Sequence, residues 1–180
     1  MKTNEVYKNL IYKTNTDNSA RYVLGKYNEN PLVFFGINPS TATISENDNT
    51  ISVIEKIARK FGYDGYIMLN LCPIRATKIS DTFVKTYCEK EMLINLRYVK
   101  NVIKTGQNIV AAWGSHITDR DYFLQSLIEI NRVINSVNAK WVCLSKTKYG
   151  HPHHPTRIEY SKMNLLPFDM RSYVNSLNNE

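Results

Sequence analysis

The sequence predicts an α/β sandwich of three layers, with a mostly parallel central sheet of about four or five strands covered on both faces by helices. Three observations carry this. Short apolar runs alternate with segments whose apolar residues recur at helical spacing. Several of those runs break abruptly at Gly, Asn or Pro, as strands do where a parallel sheet hands over to a loop. Finally, 180 residues with 43% hydrophobic and 22% charged content supply the core of one ordinary globular domain, taken as residues 1–180.

The elements follow in order. After a polar lead-in rich in Asn, Thr and Lys, Arg21-Tyr22-Val23-Leu24 reads as a short edge strand ended by Gly25. Residues 32–37 form the first strong strand, breaking into Gly36-Ile37-Asn38-Pro39-Ser40. A helix is expected over about 49–61: Asp48 or Asn49 caps it, Ile54, Ile57, Ala58 and Phe61 give its apolar stripe, and Gly62 ends it. Residues 66–71 form a second strand that stops at Cys72-Pro73. Ser80 or Asp81 opens a helical stretch in which Met92, Leu96, Val99 and Ile103 keep the spacing up to Gly106. Residues 108–113 form a third strand closed by Gly114, and Asp119 begins a helix with Phe123, Leu127, Ile130 and Ile134 on one face. Residues 140–145 form a fourth strand, followed by a long polar loop and a short helix over 168–177.

A formal charge of +7 and an isoelectric point near 9.2 favour polyanionic partners. A soluble chain with a lysine-rich surface has the same composition. Cys72, Cys88 and Cys143 are odd in number, widely spaced and set in or near apolar runs, which fits buried reduced thiols in a cytoplasmic protein. Their count excludes a four-cysteine iron–sulfur cluster within the chain. No run has the length of a signal peptide or a membrane span. Gly-x-Ser-x-Gly, phosphate-loop and dinucleotide fingerprints are missing, which weakens nucleophilic and nucleotide-cofactor chemistry.

In a parallel sheet, four strand ends share one edge. These carry Asn38, Asn70, the turn Trp113-Gly114-Ser115-His116, and the loop Gly150-His151-Pro152-His153-His154-Pro155. Amides and imidazoles facing one crevice make a plausible site. Each also has a plainer reading: Asn38 as a turn residue before Pro39, Asn70 as an amide satisfied by backbone, Trp113 as core, and His116 as a solvated loop residue. The histidines do not match a zinc pattern, because no cysteine or further ligand lies at the right spacing. No metal and no cofactor are therefore expected. Arg75, Lys78, Lys146, Lys148 and Arg157 bracket the strand ends and suit the phosphates of DNA whose base is inserted into a neutral pocket.

Four blocks then resemble a known family. Gly36-Ile37-Asn38-Pro39-Ser40-Thr41-Ala42, Asn70-Leu71 with Arg75-Ala76-Thr77, Ala112-Trp113-Gly114, and Lys148-x-Gly150-x-Pro152-x-His154-Pro155 look like a prokaryotic and viral family catalogued as a domain of unknown function, number 1643. The resemblance spans about residues 21–168. More distantly, the blocks resemble the uracil-DNA glycosylase superfamily, whose mismatch-type branch carries Gly-Ile-Asn-Pro-Gly after its first strand. Ser40 stands at the second Gly, and Thr156-Arg157 follow His154-Pro155 where that superfamily usually has Ser-Pro-Leu-Ser.

This resemblance implies a uracil-DNA-glycosylase-like fold and hydrolysis of the N-glycosidic bond of a damaged, mismatched or modified pyrimidine flipped out of DNA, including a modified base of viral DNA. It implies that Asn38 orients the attacking water, that His154 donates to the departing base, and that Asn70 reads the pyrimidine. Gly36, Ile37, Pro39, Ser40, Trp113 and Gly114 would shape the pocket. Tyr12, Tyr22 and Tyr66 are candidates to stack on the base. DNA is the expected partner, with no membrane, and the chain is expected to act as a monomer. Two other classes stay open: a non-catalytic nucleic-acid-binding module of the same fold, and a hydrolase or transferase acting on free nucleosides or nucleotides.

Overall fold

The computed structural model describes residues 7–43, 45–76 and 89–178. Lys78, the helix opening at Ser80 or Asp81, and Cys88 lie outside the described residues. Strands β1 (Asn9–Thr14), β2 (Arg21–Tyr27), β3 (Pro31–Gly36), β4 (Gly65–Asn70), β5 (Asn108–Ala111), β6 (Lys140–Cys143) and β7 (Leu166–Pro167) form one mixed sheet in the order β1-β2-β4-β3-β5-β6-β7. The helices are α1 (Asn49–Lys60), α2 (Glu89–Val102), α3 (Asp121–Ser136) and α4 (Met170–Leu177). Strands β4, β3, β5 and β6 run parallel, whereas β1, β2 and β7 are joined on antiparallel.

The parallel centre follows from its apolar strands. Every residue of β3 and β4 is buried, as a strand covered on both faces requires. Val33 and Phe35 enter a core shared with α2, α3 and α4, while Leu32 and Phe34 enter a second core with α1. Helix α1 buries Ile51, Ile54, Ile57 and Ala58 against that second face. Each fully buried isoleucine contributes about 1.5–3 kcal/mol of transfer free energy. Asp48 caps this helix by accepting from the Ile51 N–H at 2.9 Å.

Among the described residues the sheet has seven strands, more than the expected four or five, and it is mixed. The expected edge strand at 21–24 is an interior strand that continues through Gly25 to Tyr27. A side chain at Gly25 would sit 3.0 Å from the Tyr66 carbonyl oxygen, so this glycine permits close pairing with β4 and ends nothing. The true edge, β1, lies in the polar lead-in, where half-exposed residues pair with β2, and Ile11 and Tyr12 pack against the two cores. At β5 the strand stops at Ala111, and a 3-10 turn over Gly114–Asp119 precedes α3, which starts at Asp121 and not at Asp119. Cys72 and Cys143 are buried. Among the described residues, no helix is long and apolar enough to cross a membrane.

The order of the parallel strands matters most for function. The chain leaves β3 toward β4 and leaves β5 toward β6, so the carboxyl ends of β3 and β5 lie side by side where connections diverge. That divergence opens a crevice at the sheet edge.

Candidate functional site

A cleft of about 590 Å³ occupies that crevice. Gly36, Ile37, Asn38 and Ser40 line it after β3, and Trp113 and Gly114 line it after β5. His154 and Arg157 enter from the loop after β6, and Asp48 and Thr50 from the start of α1. The β6 loop is held in place by backbone. Gly114 N–H donates to the Pro152 carbonyl at 3.0 Å, and His153 N–H donates to Ser145 at 3.0 Å. Gly114 has φ +71°, a left-handed conformation that leaves the His154 Cβ only 3.6 Å from where a side chain would begin.

Asn38 is half-buried and fixed from one side. Its Nδ2 donates to the Ala76 carbonyl at 2.8 Å and to the Pro39 carbonyl at 3.2 Å. Both bonds use the amide nitrogen, so Oδ1 is the atom left to accept a hydrogen bond at the cleft. Pro39 itself is buried and is not a lining residue. Its carbonyl also receives the Ala76 N–H, which ties the loop to the end of the described segment.

Asn70 pairs with Gly36 in the β3–β4 register and is fully buried. Neither its Oδ1 nor its Nδ2 has a hydrogen-bond partner among the described residues. Buried amides are rarely left so, because each unmet group costs about 1–3 kcal/mol. The side chain lies beneath Gly36, with Oδ1 3.0 Å from where a Cβ would stand. Gly36 and Met68 line the cleft, and Asn70 sits just behind them. The Met68 methyl crowds the same point.

His154 is half-buried. Its Nδ1 accepts from the Thr156 backbone N–H at 3.4 Å and lies 2.8 Å from the Thr156 hydroxyl. A backbone N–H can only donate, so the neutral ring carries its proton on Nε2. Burial, then the Arg157 charge, hold the imidazole below its ordinary pKa, against a smaller opposing effect of Asp48. The folded chain therefore resists protonation of this ring more than the unfolded chain does. Stability is expected to be full above the ordinary histidine pKa, and to fall as pH drops through that value toward the lower folded one. Melting temperatures between pH 7.5 and 5 check this: His154→Gln should flatten part of the acid-side decline, and an unchanged slope would remove His154 from the account.

The other histidines do not join it as a ligand set. His151 is buried, and its Nδ1 lies 2.9 Å from the Tyr173 hydroxyl, which accepts from Trp113 Nε1 at 3.2 Å. Trp113 thus serves the core and the cleft wall together. His116 is exposed against Asp119 at 2.8 Å. Among the described residues, no group of three or more His, Cys, Asp or Glu is placed to hold a metal.

Of the expected phosphate-binding residues, Arg157 is exposed and lines the cleft. Lys146 and Lys148 are exposed on either side of Thr147, a lining residue, with their ammonium groups over Phe168 and Tyr149. Arg75 turns inward, donating to the Ser40 carbonyl and the Tyr12 hydroxyl, each at 2.5 Å, which leaves little of it for a phosphate. The candidate stacking tyrosines are not lining residues. Tyr22 stacks on Tyr98 in the opposite core, Tyr66 is buried beneath α1, and Tyr12 holds Arg75.

Sequence reasoning missed Arg21 as a lining residue, named His153 only as part of its loop, and saw Asp48 only as a helix cap. One signal for Arg21 was present: a charged residue opening an otherwise apolar strand. A family model described as Protein of unknown function (DUF1643) matches residues 21–156. No curated protein and no solved structure matches the chain.

Proposed function

We propose that this chain, which belongs to the DUF1643 family of proteins of unknown function, is a metal-independent DNA glycosylase that removes a pyrimidine extruded into the cleft at the ends of β3 and β5. The observation that carries the reading is the fully buried Asn70 amide with both polar atoms unmet beside the cleft. An amide offers one donor and one acceptor, the complement of a pyrimidine's N3–C4 edge. The likeness of the motif blocks to the uracil-DNA glycosylase superfamily supports the same assignment.

The chemistry divides among three side chains. As the C1′–N1 bond lengthens, its electron pair moves onto the base and charge collects at O2, leaving a cationic sugar. His154 is neutral with its proton on Nε2, and donates to O2 without first losing a proton. Asn38 Oδ1 accepts from a water and aims its oxygen at C1′. An amide cannot take the proton, so the water is positioned and adds to an electrophile that is already cationic; its proton leaves to solvent. Arg157, with Lys146 and Lys148 earlier in the same loop after β6, meets the phosphates, so binding should weaken steeply with salt.

Oligonucleotides carrying uracil, 5-hydroxymethylcytosine or glucosylated 5-hydroxymethylcytosine are the test substrates, with alkali cleavage at abasic sites as readout. At least one is expected to lose its base with wild type, and Asn38→Ala should slow release at least about tenfold while binding persists. Failure of every substrate, with Asn38→Ala indistinguishable from wild type in binding, would leave a non-catalytic module in its place.

A further inference from the structure

Arg21 opens β2 and is 2% exposed, yet it lines the cleft. Its Nη1 donates to the Ala42 carbonyl at 2.9 Å, and its Nε has no partner. No carboxylate lies within ion-pairing distance of it among the described residues. Asp48, the one acid lining the cleft among the described residues, is committed through Oδ1 to capping α1. The nearest strong charge besides Asp48 is of like sign: Arg75 donates to the same Ala42 carbonyl at 3.4 Å. Burial foremost, and Arg75 next, push the guanidinium down to about 10. A buried cation without an anion is costly, and a folded chain keeps one where a ligand completes it.

The wall beside it points the same way. Helix α1 runs for twelve residues, and its Asp48 cap takes the Ile51 side of the first turn. The N–H groups of Asn49 and Thr50 have no acceptor among the described residues, and Thr50 lines the cleft. Open first-turn N–H groups and a planar fork of donors are the two usual means of holding a phosphate.

We propose that Arg21, backed by the first turn of α1, forms a phosphate subsite at the β2 end of the cleft. It takes one phosphate group of the ligand. That group is either a backbone phosphate beside the extruded nucleotide or the phosphate of a free nucleotide. Strand order sets the place of Arg21: β2 lies beyond β4, so its guanidinium reaches the cleft from the side of Asn70 away from β5 and β6. The subsite rests on the base-binding reading for the rest of the ligand, and on Arg21 with the first turn of α1 for the phosphate.

Thermal melts with inorganic phosphate, against chloride at matched ionic strength, give the first test. Phosphate should raise the wild-type melting temperature in a saturating manner. Arg21→Met should lose that rise while its own melting temperature equals or exceeds that of wild type, since an uncompensated buried charge has gone. Titration then separates the sources. Deoxycytidine 5′-monophosphate should bind wild type at least tenfold tighter than deoxycytidine if the phosphate is that of a free nucleotide. A single-stranded oligonucleotide should instead lose tenfold in Arg21→Met if it is a backbone phosphate. The proposal is overturned if neither loss occurs, or if phosphate does no more than chloride to wild type. The wild-type arms decide even where Arg21→Met fails to fold. Base release is assayed separately: phosphate binding that depends on Arg21 in a chain releasing no base removes the glycosylase and keeps the subsite.

Discussion

Asn70→Leu is expected to raise the melting temperature and to abolish base release in the same protein. The two effects share one cause. In the free chain the amide is fully buried with both polar atoms unmet, a cost of about 1–3 kcal/mol that leucine does not incur. For a chain of this length each kcal/mol recovered corresponds to about 2–4 °C in melting temperature. Leucine is close to asparagine in size, and the Met68 methyl alongside is flexible enough to give way. On the functional side, leucine offers neither donor nor acceptor to a pyrimidine edge. Release should fall by about a hundredfold or more, with the loss confined to steps after DNA is engaged. Thermal denaturation and the abasic-site assay on the same preparation check both halves. A lower melting temperature together with a retained rate would make the amide a structural group.

That orphaned amide was only half legible in the sequence. Asn70 ends an apolar strand, so its burial followed from pattern, but whether its hydrogen bonds are met depends on what lies across the register. The answer came from Gly36, whose missing side chain leaves room for the Asn70 oxygen directly beneath it, where it meets no partner. The central strands were readable for the same reason that they are central: both faces are covered, so every residue of β3 and β4 is buried and, Asn70 apart, none is charged or an amide. Strands β1 and β7 were not. The first is half-exposed, and the second is two residues long and closes on β6 through backbone alone.

Charged residues divided along a similar line. A sequence gives the position of a cation but not the direction of its side chain. Arg75 and Arg21 come from segments joined by backbone, with Arg21 N–H on the Pro73 carbonyl and Arg75 N–H on the Ser19 carbonyl. Their guanidiniums meet at the Ala42 carbonyl. The residue expected at the rim is therefore spent on the protein's own loop, and the one read as part of an edge strand faces the cleft. In the histidine loop, too, position alone did not give direction: His151 turns into the core, whereas His153 and His154 line the cleft.

His154→Phe is the second large effect. The ring lies where its Nε2 proton is free to be given, because Thr156 occupies Nδ1. If that proton meets the charge growing on the departing base, its removal costs the stabilisation of a preorganised donor, about 2.7–4 kcal/mol, or about 10²–10³ in rate. The interaction strengthens only as the bond breaks, so kcat and kcat/KM should fall together while DNA affinity stays within a few-fold. His154→Gln restores a neutral donor on a longer, more flexible arm, and should recover part of the loss. Thr156→Val keeps the backbone N–H to Nδ1 and removes only the hydroxyl, so its effect should be small beside that of His154→Phe. These four proteins separate a donor from a packing residue. Were phenylalanine to support the wild-type rate of base release, His154 would not be the donor to the departing base.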